Sequence, residues 1–335
     1  MRHMMERSRM PNQTWSIVSV ADDGGRIRAF IQRWLGYPKP KPYCVFAGGR
    51  SLFQHTMDRA ARLCQRERIV AVIAREHRRE AWPQLDGRTG GTVLLEPRDC
   101  QTAASIYLSL TYIRARDPQA TVVVYPSDHF VYPEHRFLDS VKRAVWTAEW
   151  LPDRLVLLGV APDRLELEYG WIMPGARLDG STSYQIQGVE GILEKPTVAQ
   201  ADAALAGGAL WNTGVLAAKG ETLWQLGWQY FPDLMARFER LSAVIGTPRE
   251  GRVLEEVYGD MPARHFFSEL VQRVPERTAV IEMNGVLWSD WGRPEWIAHT
   301  LRRIGRQPTF PLGCLSRPFV PISLAGSEDR VLANI

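Results

Sequence analysis

Two aspartates stand where an acid could hold a divalent ion. In Tyr125-Pro126-Ser127-Asp128-His129-Phe130, a run of valines and a tyrosine leads into Asp128. A carboxylate just past a buried strand lies at the edge where hard cations are held. In Leu287-Trp288-Ser289-Asp290-Trp291-Gly292, Asp290 sits between tryptophans and before a glycine. One carboxylate holds Mg²⁺ poorly; two, with phosphate oxygens, complete an octahedral shell. Each acid also has a plainer reading as a helix cap or turn residue, and His129 reads as a structural neighbour. Cations that could meet a phosphate are Lys39 and Lys41, in a proline-stiffened loop, and Lys195, beside Glu194 in Leu193-Glu194-Lys195-Pro196. Taken singly, each also reads as a solvated surface lysine. Tyr169-Gly170 and Trp211-Asn212-Thr213-Gly214 place a glycine or an amide beside aromatic rings, and an amide can donate and accept toward sugar hydroxyls. Finally, Ile17-Val18-Ser19-Val20 runs into Ala21, Asp22, Asp23, Gly24, Gly25 and Arg26. That layout suits a loop around a phosphate chain, although carboxylates repel phosphate.

These residues need a scaffold that gathers distant loops. Strand-like runs at 14–20, 68–74, 92–96, 120–126 and 154–160 alternate with helical patterns at 51–64, 76–82, 101–115 and 135–150. The rhythm predicts an α/β, Rossmann-like fold: a mixed, mainly parallel sheet with helices on both faces. Ligands then bind beyond the carboxyl ends of the strands, so the loops at 21–26, 96–102 and 126–130 line one edge. Further on, the pattern predicts an exposed antiparallel strand at 184–196, a helix at 197–206, and a strand with an internal turn at 210–219. Helices follow at 220–258, then a hairpin over 278–292 turning at Asn284-Gly285, and a last helix at 294–304. Residues 1–13 read as a flexible leader, 14–305 as one domain with halves at about 14–160 and 161–305, and 306–335 as an irregular tail too short for a further domain.

Composition narrows the function classes. The 335 residues are 45% hydrophobic and carry a formal charge of +4, with 41 basic against 37 acidic side chains. This balance permits an anionic small substrate and gives no basic, aromatic-laced stripe for nucleic acid. No apolar run reaches the ~20 residues of a membrane span. Cys44, Cys64, Cys100 and Cys314 form no CxxC pair or zinc spacing, which suits free thiols in a reducing cytoplasm. Neither G-x-G-x-x-G nor G-K-[ST] occurs, which argues against NAD dehydrogenases and P-loop NTPases.

The order of the motifs is more specific than any one of them. Over roughly residues 15–305 the chain resembles the sugar-phosphate nucleotidyltransferases, most of all the mannose-1-phosphate guanylyltransferases. The family's G-G-x-G-T-R-L falls on Ala21 to Ile27, its first two glycines replaced by Ala21 and Asp22 while Gly24 and Arg26 stand. Its P-K-Q-F falls on Pro40-Lys41-Pro42-Tyr43, favouring Lys41 over Lys39. Residues 96–105 resemble the base-recognition loop, with Asp99 where asparagine is usual. P-S-D-H, E-K-P and W-N-T-G match, and Trp288 to Gly292 match a common form of the second metal motif.

The resemblance implies roles. Asp128 and Asp290 would hold Mg²⁺, Arg26 would face the departing pyrophosphate, and Lys41 would lie near the α-phosphate. Lys195 would bind the sugar phosphate, with Tyr169, Gly170, Glu194 and Asn212 around the sugar. Ala21, Asp22, Gly24, Gly25, Glu96, Asp99, Thr102 and Ala103 would take the nucleotide. The expected partners are a nucleoside triphosphate and a sugar 1-phosphate, with no nucleic acid and no membrane, and a homodimer is compatible with this reading. Were the Asp22 carboxylate ~4 Å from a phosphate charge, it would cost about 4 kcal/mol at an effective dielectric of 20. A catalytically impaired binding or regulatory homologue of the same fold is therefore the alternative. A metal-dependent glycosyltransferase would ordinarily show a D-x-D pair, which is absent.

Overall fold

The computed structural model describes residues 10–20, 25–88, 90–178 and 185–315. Its strands are β1 (Thr14–Val20), β2 (Ile69–Ala74), β3 (Thr92–Glu96), β4 (Thr121–Pro126), β5 (Phe130–Tyr132), β6 (Leu155–Val160), β7 (Gly170–Arg177), β8 (Ile186–Glu194), β9 (Leu210–Lys219), β10 (Thr278–Glu282) and β11 (Leu287–Ser289). Nine of them make the frame, a sheet in the order β3-β2-β1-β4-β9-β6-β10-β8-β7. β3, β2, β1 and β4 pair in parallel, as do β6 and β10. Between these two blocks lies β9, antiparallel to both β4 and β6.

The inner strands are near-continuous apolar runs because both faces are covered. In β1, Trp15 and Ile17 join one core, whereas Val18 and Val20 join the other. This is the two-residue alternation of a pleated strand. The first core packs helices 101–116 and 232–242, and the second packs 52–63 and 134–150. Helix 52–63 starts at a capping box in which Ser51 and Gln54 satisfy each other's backbone N–H groups. A third cluster joins helix 28–35 to helix 294–303 through Ile27, Phe30, Ile31, Trp291, Ile297 and Leu301, and Phe310 seals it.

Two expectations need correction. Residues 278–292 form no hairpin. β10 pairs with β6 and β8, and the next strand, β11, leaves the main sheet to pair with β5. The turn signal at Asn284-Gly285 is real, with Gly285 at φ 66°, but burial of β10 between two partners outweighs a local pairing. Likewise β9 contains no turn. Gly214, at φ 71°, sits in one continuous strand, and the register against β6 slips between Leu157 and Gly159, so a bulge replaces the reversal. The expected leader and tail lie mostly outside the described residues.

Candidate active site

The small β5–β11 sheet explains how two acids remote in sequence meet. Ser289 pairs with Phe130 and Trp288 with Val131. Asp290 follows that register directly, and Asp128 precedes it, so both fall at one edge. Lys41, only 2% exposed, lies between them. Its Nζ donates to Asp128 Oδ2 at 2.6 Å and to the main-chain oxygen of Asp290. Lys39 is turned elsewhere, pairing with Glu80 at 3.4 Å. Arg26 Nη2 donates to Asp290 Oδ2, the Tyr169 hydroxyl to Asp290 Oδ1, and the Gly292 N–H to the same Oδ1 at 3.0 Å. Gly292 permits this closeness: a Cβ there would come within 2.7 Å of both the Arg26 guanidinium and Asp290 Oδ2.

Burial opposes the charge on both aspartates, but the neighbouring cations outweigh it. Lys41 holds Asp128 below its ordinary pKa, and Lys41 with Arg26 holds Asp290 well below. Both are therefore anionic at neutral pH. For Arg26, burial works downward and the Asp290 charge raises its pKa on balance. His129 stays neutral at pH 7, because burial lowers its pKa despite Asp128 nearby.

On the sugar side, β7 runs between β8 and β9 and sets Gly170 opposite Glu194. Asn212 Nδ2 donates to Glu194 Oε1 at 3.5 Å. A Cβ on Gly170 would lie 2.5 Å from that same oxygen, so the glycine makes room for the pair. Burial pushes Glu194 up to about 7, with the Asn212 bond and Lys195 opposing. Lys195 follows at φ 49° and is exposed. Tyr169 is buried, its hydroxyl given to Asp290.

The expected base loop presents a different face. Glu96 is buried and accepts from Ser105 Oγ at 2.7 Å and the Tyr258 hydroxyl at 2.9 Å. Asp99 Oδ1 accepts the Gln101 N–H at 2.7 Å. Thr102 Oγ1 accepts from Phe266 N–H at 2.9 Å, and the Ala103 N–H donates to Arg264 O at 3.1 Å. Ala21, Asp22 and Gly24 lie outside the described residues; Gly25 is exposed next to Arg26.

One residue carried no expectation. Arg164 is 8% exposed, stacks 3.7 Å from the Trp296 ring centroid, and donates to the Tyr169 hydroxyl at 3.2 Å and to Asp163 Oδ1 at 2.8 Å. Asp163 in turn accepts from Arg303 at 3.0 Å. Arg164 thus steadies the tyrosine that steadies Asp290. Its sequence signal was weak: an arginine a few residues ahead of Tyr169-Gly170.

The donor set suits a hard cation. Two ionised carboxylates offer oxygen ligands, and Asp128 Oδ1 accepts no hydrogen bond among the described residues. No group of three or more His, Cys, Asp or Glu side chains able to hold a metal occurs among them. A cation here would draw the rest of its shell from phosphate and water, as Mg²⁺ does.

Fold and site can be set beside those of known proteins, and a family emerges. The chain belongs to the nucleotidyl transferase family, whose model matches residues 35–300. It is 29% identical over 261 residues to mannose-1-phosphate guanylyltransferase of Escherichia coli K12, covering 76% of this chain and 53% of that protein. Mannose-1-phosphate guanylyltransferase 2 of Escherichia coli O157:H7 is 26% identical over 263 residues, again covering 76% of this chain and 53% of the relative. The chain therefore spans about half the length of these curated relatives. The structure of a mannose-1-phosphate geranyltransferase from Thermus thermophilus superimposes with a TM-score of 0.73 at 28% identity, covering 86% of this chain and 79% of that one.

Proposed function

We propose that this chain transfers the nucleotidyl group of a nucleoside triphosphate, GTP, to a sugar 1-phosphate, mannose 1-phosphate, yielding a nucleotide-sugar and pyrophosphate. The observation that carries this reading is the contact set Asp128–Lys41–Asp290–Arg26, in which segments far apart in sequence put two anions and two cations at one strand edge. The likeness to the guanylyltransferases supplies the choice of base and sugar.

The sugar phosphate is already an anion and needs no general base. Its oxygen attacks the α-phosphorus in line as the bond to the β-phosphate oxygen breaks, and pyrophosphate carries off the electron pair. The difficulty is the meeting of two polyanions, so positioning and charge neutralisation do the catalysis. Lys41 would neutralise the α-phosphate and Arg26 the departing pyrophosphate. Lys195 would pair with the sugar phosphate, while Glu194 and Asn212 hold sugar hydroxyls. Gly25, with the loop that precedes it, and the 96–103 loop would pass the nucleotide along the edge. Asp128 and Asp290 would hold Mg²⁺, which supplies positive charge shared by the phosphates. Asp290 is committed to Arg26, Tyr169 and Gly292, so Arg26 must turn toward the pyrophosphate before Asp290 can serve a metal. The four unpaired cysteines support a cytoplasmic setting. Among the described residues no helix is long and apolar enough to cross a membrane.

The saturated Asp290 carboxylate, and a base loop whose polar groups bond inward, favour a second reading: a homologue that binds nucleotide without turnover. Pyrophosphate release should be followed with Mg²⁺ and each of the four ribonucleoside triphosphates against several sugar 1-phosphates. Release that is strongest with GTP and mannose 1-phosphate supports the first reading. Saturable GTP binding with no release in any combination supports the second.

A further inference from the structure

A cavity of about 260 Å³ lies behind the catalytic edge, and none of Arg26, Lys41, Asp128 or Asp290 lines it. His129, Phe130 and Trp291, which line it, are close in sequence to Asp128 and Asp290. Phe130 and Trp291 are stacked, with centroids 4.3 Å apart.

The far walls are cationic. Arg59 forms part of the lining at 3% exposure. Its Nη2 donates to Thr56 Oγ1 at 2.6 Å and to the main-chain oxygen of His129 at 3.2 Å. Its Nε is buried without a partner. Arg59 makes no ion pair within 4 Å among the described residues; Glu134 and Asp58 offset its charge from further away, and its guanidinium lies 5.6 Å from the Phe137 ring centroid, so its buried charge is only partly compensated. Arg50 and Arg306 are exposed and also line the cavity. Arg50 is tied to Asp58 at 2.7 Å, whereas Arg306 only faces the Tyr132 ring and has no acidic partner among the described residues. The single acid in the lining, Glu134, is already engaged by Arg62 at 2.8 Å and His55 at 3.5 Å. A buried, under-bonded guanidinium beneath two exposed ones matches the geometry that phosphate oxygens satisfy.

We propose that this cavity is a phosphate-binding subsite separate from the catalytic edge, with Arg59 as its buried anchor and Arg50 and Arg306 as its rim. Its ligand is a compact phosphate or phosphomonoester, whose substituent would lie against Tyr132 and Phe46. The subsite stands whichever nucleotide or sugar the catalytic edge uses.

Calorimetric titration of the full chain, without nucleotide or metal, tests it with inorganic phosphate and, in parallel, a sugar 6-phosphate. Saturable binding is expected. Arg306→Ala should weaken it about tenfold, and Arg50→Ala/Arg306→Ala further, while Arg26→Ala at the catalytic edge leaves it unchanged. The rim variants remove exposed side chains, so the test survives even if an Arg59→Gln protein fails to fold. Tighter binding of the ester identifies a metabolite as the occupant, and equal binding identifies the free ion; either upholds the subsite. Absence of saturable binding overturns it, as does binding that is lost in Arg26→Ala and intact in the rim double variant.

Discussion

Two strand-end loops of the same sheet handle polar groups in opposite ways. After β4, Asp128 meets Lys41, and Lys41 and Arg26 meet Asp290, across long sequence separations and mostly between full charges. After β3, Glu96, Thr102 and Ala103 are bonded to neutral groups of Ser105, Tyr258, Arg264 and Phe266. The first loop is held by interactions that a triphosphate and a cation can replace with equivalents. The second is held by interactions that a ligand has no reason to disturb. The first can exchange partners during a reaction, whereas the second gives a rigid wall.

The contrast can be broken most sharply at the acids. Asp128→Asn and Asp290→Asn should each lower kcat about 10³-fold, measured by pyrophosphate release, with circular dichroism unchanged. Unaltered rates at saturating Mg²⁺ would end the metal assignment. The next effect is on stability. Asp128→Asn leaves the buried Lys41 ammonium without its carboxylate and should cost about 3 kcal/mol in denaturant unfolding. Adding Lys41→Met should recover most of that stability and none of the activity; a double variant no more stable than Asp128→Asn would show that the pair is not coupled.

At the quieter loop the readout is pH. Burial pushes Glu96 up to about 7 from an ordinary 4.5, with the Ser105 and Tyr258 bonds opposing. The folded state therefore holds this proton more tightly than the unfolded chain. Its stabilising contribution is complete below pH 4.5 and fades as pH rises through about 7, a change on the order of 3 kcal/mol. Glu96→Gln should flatten the fall in stability across that window, and an unchanged slope would place the titration elsewhere. Smallest of all, Lys195→Ala should raise the KM for sugar phosphate about tenfold, the worth of one charge-assisted contact. A rise confined to the nucleotide KM would reverse the two ends of the cleft.

Much of the fold was legible because β1, β2, β4 and β6 are apolar runs of strand length, and burial on both faces leaves such runs few alternatives. Asp128 and Asp290 were legible as a pair only through the order of motifs; their meeting depends on the β5–β11 register, which no local pattern encodes. The same non-local pairing defeated the hairpin expected at Asn284-Gly285. Tyr169 was singled out beside Gly170 for the sugar, but the direction of its hydroxyl is set by Asp290, 121 residues away. Arg164 went unread because its partners, Tyr169, Trp211 and Trp296, come together only in the folded chain.

The reversed β9 has a consequence for how the chain is made. Until residues 210–219 leave the ribosome, β4 keeps one backbone edge unpaired and β6 keeps both, because its other neighbour, β10, is made later still. Such edges are templates for unwanted strand addition. Nascent chains arrested before residue 219 should therefore aggregate or hold chaperones, and those arrested well beyond residue 282 should not, because β9 closes the seam between the two blocks and β10 then covers the remaining edge of β6.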